Sequence, residues 1–278
     1  AALSLARVMA IVNRTPDSFY DKGATFDLDP ALRRCDEVIA AGASIVDIGG
    51  VKAGPGKAVD AAEEIDRVVP TIEKVHQRHP DVLISVDTWR SEVAEAAIAA
   101  GAGLINDTWA GWDPELIEVA GHYRVGYVCS HTGGITPRTR PHRVHFDDVV
   151  ADVIAETTQL AERAAALGCP EDLTFIDPTH DFGKNTFHGL ELLRRIDEVV
   201  ATGWPVLMAL SNKDFVGETL DRGVGERVAG TLAATAWSAA RGVAAFRVHE
   251  VAETADVIRM TAAIQGEVAP LATTRGLA

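Results

Sequence analysis

Polar side chains stand at the ends of almost all the short apolar segments of this sequence. They are acids, amides, bases and a hydroxyl: Asn13, Asp47, Asp87, Asn106, His131, Asp177, Ser211, Lys213, Arg247 and His249. Such groups bind small polar ligands and carry acid–base or electrostatic catalysis. Any single one could be a helix cap or a turn residue. Their recurrence at successive segment ends favours one functional cleft.

A glycine-rich stretch from Asp47 to Val59, "DIGGVKAGPGKAV", is the second candidate for chemistry. A phosphate-binding P-loop would need glycine where Val51 stands and a hydroxyl where Ala58 stands. A dinucleotide-binding Gly-x-Gly-x-x-Gly motif fails as well, because Val59 occupies the third glycine position. Both nucleotide motifs are therefore excluded, and the place of the loop in the chain has to explain it.

Eight short runs rich in Val, Ile and Leu are typical of strands buried on both faces of a parallel sheet. They cover 8–12, 44–49, 82–87, 103–107, 125–130, 173–177, 205–211 and 244–249. The amphipathic stretches between them predict helices at roughly 30–42, 61–79, 90–100, 114–121, 146–168, 188–202, 224–242 and 251–265.

This alternation predicts an α/β fold, a (β/α)8 TIM barrel in which residues 1–278 form a single domain with a core of about 7–265. An open doubly wound sheet is the alternative. In a barrel, catalytic groups lie at the carboxyl ends of the strands. All the polar segment ends would then face the same cleft.

The composition limits the kinds of partner. A net charge of −14 argues against nucleic acid as a partner, because nucleic-acid binding depends on a basic surface. No apolar run approaches the roughly 18 residues of a membrane helix, and the first residues show no clean leader pattern. We therefore expect no membrane association, no secretory signal and a cytoplasmic location. Cys35, Cys129 and Cys169 are widely scattered, which fits reduced thiols and no structural zinc.

Six sequence strings occur in order at the segment ends: "NRTPDSF" at 13–19, "SVDT" at 85–88, "IND" at 105–107, "DPTHDFGK" at 177–184, "SNK" at 211–213 and "RVHEV" at 247–251. Together, over about residues 7–265, they resemble the dihydropteroate synthase family of pterin-binding barrels. The resemblance implies a transferase of folate biosynthesis that joins 4-aminobenzoate to 7,8-dihydropterin-6-ylmethyl diphosphate and releases pyrophosphate. It also implies Mg²⁺ as cofactor and a homodimer.

By this resemblance, Asp87, Asn106, Asp177 and Lys213 form the pterin pocket, and Asp87 and Lys213 are the catalytic residues. A pterin presents an edge of N–H donors, which a buried carboxylate such as Asp177 can accept in a bidentate manner. Asn106 offers a donor and an acceptor to the same edge, and Lys213 can donate to the ring carbonyl. A fixed carboxylate at Asp87 would stabilise the positive charge that develops on the pterin methylene as the diphosphate leaves.

The remaining site residues also follow from the resemblance. Asn13, Arg247 and His249 match the family's diphosphate and Mg²⁺ end, and Asn13 is the expected metal ligand. Phe182 and Ser211 match the aminobenzoate site. Because sulfonamides and sulfones mimic aminobenzoate in this family, we expect such compounds to bind weakly even without catalysis.

The loop after the second predicted strand departs from the family, which usually has Asp-Ile-Gly-Gly-Glu-Ser-Thr-Arg-Pro-Gly there. Residues 51–54 read Val-Lys-Ala-Gly instead, so the threonine and arginine that close over the reacting groups are absent. Another cation is lost at Asn212, where the family has arginine. Removing one donor aimed at transition-state charge commonly costs about 10²–10³ in rate. Synthase activity is therefore expected to be small or absent.

Other substitutions also fall in the loops. Arg14 replaces a small apolar residue, 179–181 read Thr-His-Asp instead of Gly-Phe-Gly, and 130–132 read Ser-His-Thr instead of Met-His-Met. Arg14, Lys52 and Lys57 are new cations that could compensate for those lost, although a lysine does not reproduce the bidentate fork of an arginine.

A basic segment carries Arg138, Arg140, His142, Arg143 and His145 on an otherwise acidic protein. Two interpretations of it remain open. It is either a solvated loop or a site for an anionic ligand or partner.

The leading functional hypothesis is a dihydropteroate synthase homologue that keeps part of the pterin pocket, with transferase activity reduced or lost. An active synthase with substituted loops is the first alternative. A pterin-dependent methyltransferase is the second, although such enzymes need a corrinoid partner module. A metal-dependent hydrolase is disfavoured, because Val12-Asn13-Arg14 stands where those barrels have His-x-His.

Overall fold

The structure is a computed structural model that describes residues 5–15, 27–138 and 145–275. Eight parallel strands run through it: β1 Arg7–Asn13, β2 Ile45–Gly49, β3 Leu83–Asp87, β4 Leu104–Asp107, β5 Gly126–Ser130, β6 Thr174–Asp177, β7 Leu207–Met208 and β8 Ala245–Val248. Most of their residues are buried, as expected for a parallel sheet covered on both faces.

Ten α-helices alternate with these strands in the described part of the chain: α1 Leu28–Ala40, α2 Ala61–Arg78, α3 Ser91–Ala100, α4 Leu116–Tyr123, α5 Val149–Leu167, α6 Thr186–Arg194, α7 Ile196–Val200, α8 Asp214–Leu220, α9 Val228–Ala239 and α10 Val251–Ile264. Local chemistry sets several of their ends. The carboxylates of Asp60 and Asp148 accept hydrogen bonds from the first free N–H groups of α2 and α5. Gly101 and Gly168 end α3 and α5 in the left-handed conformation that glycine tolerates best.

The strands close into a barrel. Their order in the sheet is β6-β5-β4-β3-β2-β1-β8-β7, and a parallel bridge between Ile176 and Val206 joins the two ends. An open doubly wound sheet would leave two edges and would reverse its strand order at a switch point. The predicted (β/α)8 TIM barrel is therefore confirmed, and the doubly wound alternative is wrong.

The barrel interior shows how the strands present the site. Successive side chains of a strand point to opposite faces. An interior apolar cluster is formed by Met9, Ile45, Leu104, Val128, Phe175, Leu207 and Ala245. Two positions later in the chain stand Ile11, Asp47, Asn106, Ser130, Asp177, Ala209 and Arg247, all on the same strands except Ala209, which directly follows β7. The period of two therefore places the polar residues inside the barrel, directly after an apolar plug.

The outer faces of the strands and the inner faces of the helices form a separate, larger apolar core. Cys35, Cys129 and Cys169 are free and buried, and burial raises the pKa of the Cys35 thiol to about 12. Among the described helices, none combines the length and the apolar character that a membrane crossing requires.

The contact between α4 and α5 yields a stability prediction. A Cβ added at Gly121 would lie 2.5 Å from Leu167 Cβ and 2.6 Å from the Leu167 carbonyl oxygen. We expect Gly121→Ala to lower the free energy of unfolding by about 1–3 kcal/mol, because overpacking outweighs the better helix propensity of alanine. Gly223→Ala is the control, since its nearest contact is 3.4 Å away at a glutamate tip. Equal urea midpoints for the two variants would contradict this account.

Candidate functional site

A cavity of about 370 Å³ opens at the carboxyl end of the barrel. Seven of the nine predicted site residues line it: Asn13, Asp87, Phe182, Ser211, Lys213, Arg247 and His249. The other two, Asn106 and Asp177, are buried at the ends of β4 and β6 and lie outside the lining. The segments that supply the lining side chains are far apart in sequence, so the barrel brings the predicted residues together.

Asp47 is the hydrogen-bonding centre of the polar interior. Its carboxylate accepts from Ser85 Oγ at 2.6 Å, from Asn106 Nδ2 at 3.0 Å and from Arg247 Nε at 2.6 Å. The sequence places Asp47 at a strand end, but the family resemblance assigns it no binding or catalytic role. Its position two residues after Ile45, on the inner face of the strand, was the available signal.

Arg247 links this centre to the predicted catalytic carboxylate. Its Nη2 donates to Asp87 Oδ2 at 2.8 Å, and Thr108 Oγ1 donates to Asp87 Oδ1 at 3.0 Å. Burial alone would lower the pKa of Arg247, but Asp47 and Asp87 raise it, so the guanidinium stays charged. Burial raises the pKa of Asp87, and Arg247 opposes that shift. Asp87 is thus fixed in orientation before any ligand arrives.

Asp177 and Lys213 were the predicted partners of the pterin edge. Burial raises the pKa of Asp177 to about 6, although the backbone N–H of Thr179 donates to its Oδ1 at 2.7 Å. Burial lowers the pKa of Lys213. Within the described residues, Lys213 Nζ has no carboxylate partner within 4.0 Å, and it lies 4.9 Å from the ring centroid of Phe182. Asp177 is therefore buried and Lys213 half-buried, and both have hydrogen-bonding capacity left for a ligand.

An aromatic wall stands behind this lysine, and sequence reasoning found only one member of it. Phe182 packs edge-on against Trp109 at 5.2 Å between ring centroids, and Trp109 packs against Trp89 at 6.4 Å. Trp109 comes shortly after β4 and Trp89 shortly after β3. Tryptophans this close to strand ends were the signal that could have identified the wall.

Two side chains of the segment after β7 form hydrogen bonds within the wall of the cavity. Ser211 Oγ donates to Glu250 Oε2 at 2.8 Å and shares a second hydrogen bond of 2.8 Å with His249 Nδ1. Asn212, which stands where the family has arginine, donates to Glu250 Oε1 at 2.8 Å. The Asn212 side chain thus contributes a hydrogen bond to the wall and no positive charge to the cavity.

The glycine-rich loop at 51–54 forms another part of the lining. Arg138, from the basic segment, donates from Nη1 to the Lys57 carbonyl at 2.9 Å and from Nε to the Gly54 carbonyl at 3.4 Å. This arginine holds the loop through its backbone. His145 is exposed beside Asp147, while Arg140, His142 and Arg143 lie outside the described residues.

The compensating cations differ in where they lie. Lys52 lines the cavity, but Lys57 and Arg14 are not among its lining residues. The Arg14 side chain is buried; burial lowers its pKa, and the charge of Asp27 opposes that shift. Its Nε and Nη1 find no hydrogen-bond partner among the described residues. The expectation that Arg14 replaces a lost cation in the cavity is therefore wrong, because its side chain is packed elsewhere.

His131 does not face the cavity either. Ser130 takes the inward position at the end of β5, so the next side chain points outward, where His131 Nε2 lies 2.7 Å from Asp152 Oδ2 of α5 and 3.5 Å from Glu156 Oε2. These groups could offer a metal ion one ligand atom each. However, Lys184 Nζ donates to the His131 carbonyl at 2.7 Å, and its buried positive charge opposes a cation there.

The turn after β6 carries two residues with left-handed backbone where the family has glycine. Thr179 has φ 54° and Asp181 has φ 69°. Local hydrogen bonds offset the strain: Thr179 Oγ1 accepts from the His131 N–H at 3.0 Å and donates to the Asp177 carbonyl at 2.9 Å. The Asp181 carboxylate accepts from the N–H groups of Asp214 and Phe215 at the start of α8.

Comparison with known proteins agrees with this geometry. A relative from Mycobacterium leprae (strain TN), named "Inactive dihydropteroate synthase 2", is 60% identical over 275 residues, which cover 98% of this chain and 94% of the relative. The solved Yersinia pestis dihydropteroate synthase with a sulfonamide drug complex matches with a TM-score of 0.88 and 35% identity, covering 96% of each chain.

The Xanthomonas albilineans dihydropteroate synthase with 4-aminobenzoic acid matches with a TM-score of 0.85 and 38% identity, covering 96% of this chain and 95% of that one. The family model described as "Pterin binding enzyme" matches residues 9–249, which span all eight strands except the first two residues of β1. The chain therefore belongs to the pterin-binding enzyme family.

Proposed function

We propose that this protein is a dihydropteroate synthase homologue that binds a pterin and has little or no synthase activity. The observation that carries the proposal is an intact polar interior of the barrel combined with substituted loops at the cavity rim. We define the rim as Ala53, Gly54 and Asn212, which replace the family's threonine and two arginines. Asp47, Asn106, Asp87 and Arg247 form one hydrogen-bonded network. The rim has Ala53 and Gly54 in its lining, and it has Asn212 bonded to Glu250.

The pterin end of the site keeps the groups that a pterin needs. Asp177 is a buried acceptor, and Asn106 is held by the bond from its Nδ2 to Asp47, which leaves its amide oxygen free to accept from a ligand. Lys213 Nζ lies beside the aromatic face of Phe182 and can donate to a ring carbonyl. A flat heterocycle with alternating donors and acceptors suits this combination.

The end of the cavity that would bind the diphosphate provides fewer groups for an anion. Arg247 is already engaged with two carboxylates, so its charge is largely balanced within the protein. Loss of the threonine and the two arginines expected in the family removes donors that would each be worth about 10²–10³ in rate. Together these losses reduce the expected turnover by several orders of magnitude. The name of the Mycobacterium leprae relative supports the same conclusion.

Mg²⁺, a homodimer and a cytoplasmic location belong to the same proposal. The Asn13 amide oxygen and Asp87 Oδ2 each lie 3.6 Å from the place where a Gly49 Cβ would stand, and Asp87 Oδ2 also accepts from Arg247. Oxygen ligands of this type suit Mg²⁺ when substrate phosphates complete its shell. Asn13 would hold the ion, and the ion would neutralise charge on a bound diphosphate.

An active synthase is the second candidate, and Lys52 is the observation that favours it. Lys52 lines the cavity on the loop that lost its arginine. A lysine can still neutralise a phosphate as a point charge. Direct assay separates the two candidates.

Turnover by the unaltered protein should be slow. The purified protein, incubated with 7,8-dihydropterin-6-ylmethyl diphosphate, radiolabelled 4-aminobenzoate and Mg²⁺, should form labelled dihydropteroate at least about 10³-fold more slowly than an active family member. Combined Ala53→Thr, Gly54→Arg and Asn212→Arg should raise any residual rate. The matched variant with Gly54→Lys should restore less, because a lysine lacks the bidentate fork. Product at an ordinary rate from the unaltered protein would favour the active synthase.

Pterin binding should depend on pH. Because burial raises the pKa of Asp177 to about 6, the carboxyl group is protonated below that pH and loses its capacity to accept two N–H bonds. Affinity for a dihydropterin, measured by calorimetry, should fall by up to about tenfold per pH unit below 6 and level off above it. Asp177→Asn should weaken binding and remove this slope. A slope that persists in the variant would exclude Asp177 as the titrating group.

A further inference from the structure

Asp181 places a carboxylate in the wall of the cavity. It lines the cavity together with its neighbour Phe182 and with Lys213. Its Oδ2 accepts from the Asp214 N–H at 2.5 Å, and its Oδ1 lies 3.4 Å from the Phe215 N–H. The position has φ 69°, which an aspartate or an asparagine tolerates better than most residues. The side chain is therefore held in place as part of the wall.

This carboxylate offsets the charge of Lys213. Lys213 is the group that would meet a negatively charged ligand beside Phe182, and its ammonium lies 4.9 Å from the Phe182 ring centroid. Asp181 exerts the largest attraction on that ammonium, ahead of Asp177 and Asp214. The lysine is thus under the electrostatic attraction of the wall, although no carboxylate of the described residues lies within 4.0 Å of its ammonium.

Two arginines on the cavity lining are balanced in the same way. Arg227 donates from Nη1 to Asp214 Oδ1 at 2.9 Å and to the Asn212 carbonyl at 2.9 Å. Arg247 is paired with Asp47 and Asp87. A ligand carboxylate entering beside Phe182 would consequently meet two arginines that are paired with carboxylates and a lysine already under the attraction of Asp181, and it would lie close to the Asp181 carboxylate itself.

The apolar part of the same region is complete. Phe182 lines the cavity and offers ring surface against which an aromatic ligand can stack, and the buried ring of Trp109 packs edge-on against it. Lys213 lies over the Phe182 face as a cation–π contact. Shape and apolar contact therefore favour an aromatic ring here, while charge disfavours an acid.

We propose that the Phe182 end of the cavity takes a neutral or cationic aromatic amine and rejects aromatic carboxylates such as 4-aminobenzoate, with Asp181 as the residue that sets this preference. The inference rests on the proposed function only in assigning an aromatic second ligand to this region. It also distinguishes two ligands that the family resemblance assigns to the same site, because a diaryl sulfone is neutral and 4-aminobenzoate is an anion.

The test uses a matched pair of ligands, 4-aminobenzamide and 4-aminobenzoate, which share a ring and an amine and differ in charge. Dissociation constants would be measured by calorimetry and ligand-observed NMR at pH 7.5, at millimolar ligand, on the full chain. We expect the unaltered protein to bind the amide about 10- to 100-fold more tightly than the acid, the range that a fixed charge a few ångströms away produces at a partly exposed site.

Two variants locate the cause. Asp181→Asn keeps an acceptor for the N–H groups and tolerates the same backbone conformation, but it removes the charge, so the preference should shrink by about tenfold or more. Asp181→Gly should do the same. Asp256→Asn removes an equal charge from the exposed face of α10 and should leave the preference unchanged.

Three results would overturn the proposal: equal affinities for acid and amide in the unaltered protein, an unchanged preference in Asp181→Asn, or no binding of either ligand to any variant. A dihydropterin titration on the same samples distinguishes this failure from failure of the proposed function. Pterin binding without the charge preference would reject only the present inference. The charge preference without pterin binding would reject only the proposed function.

Discussion

The guanidinium of Arg247 joins the last strand of the barrel to the second and the third. It contacts Asp47 at 2.6 Å and Asp87 at 2.8 Å, and Asp47 is fully buried. Removing one partner of such a buried pair commonly costs about 3–5 kcal/mol, because the remaining charge has no solvent to stabilise it. Asn106 and Ser85 complete the shell around Asp47. The positions of the polar groups at this end of the barrel depend on this cluster.

The same constraint explains how the site can keep its buried polar residues while the loop residues that support catalysis are replaced. The interior polar residues are locked by one another and by strand geometry, so each substitution there would leave a buried charge or donor without a partner. The rim residues lie on loops, outside the strands that form the barrel. Ala53, Gly54 and Asn212 could therefore replace reactive groups without harming the barrel. Asn212 even gains a structural role through its bond to Glu250.

The sequence predicted the barrel because eight apolar runs alternate with amphipathic stretches, and it predicted the cavity because polar residues end those runs. The direction of each side chain at a strand end depends on the exact register of the strand, which the apolar runs alone did not define. His131 points outward because Ser130 holds the inward position, and Arg14 is buried although its neighbours Asn13 and Thr15 line the cavity. Arg138 contacts loop carbonyls across more than eighty positions of sequence, which no local pattern reveals.

The central claim is that the residues expected to bind the pterin ring are retained, while the loop residues expected to bind the diphosphate are lost. Its most direct test compares, in the presence of Mg²⁺, the dissociation constants of 7,8-dihydropterin-6-ylmethyl diphosphate and of the corresponding 6-hydroxymethyl dihydropterin. The account predicts that both bind and that the diphosphate improves affinity by less than about tenfold, or about 1.4 kcal/mol. An improvement of about 100-fold or more would show that Lys52 and its neighbours grip the diphosphate, and it would contradict the account.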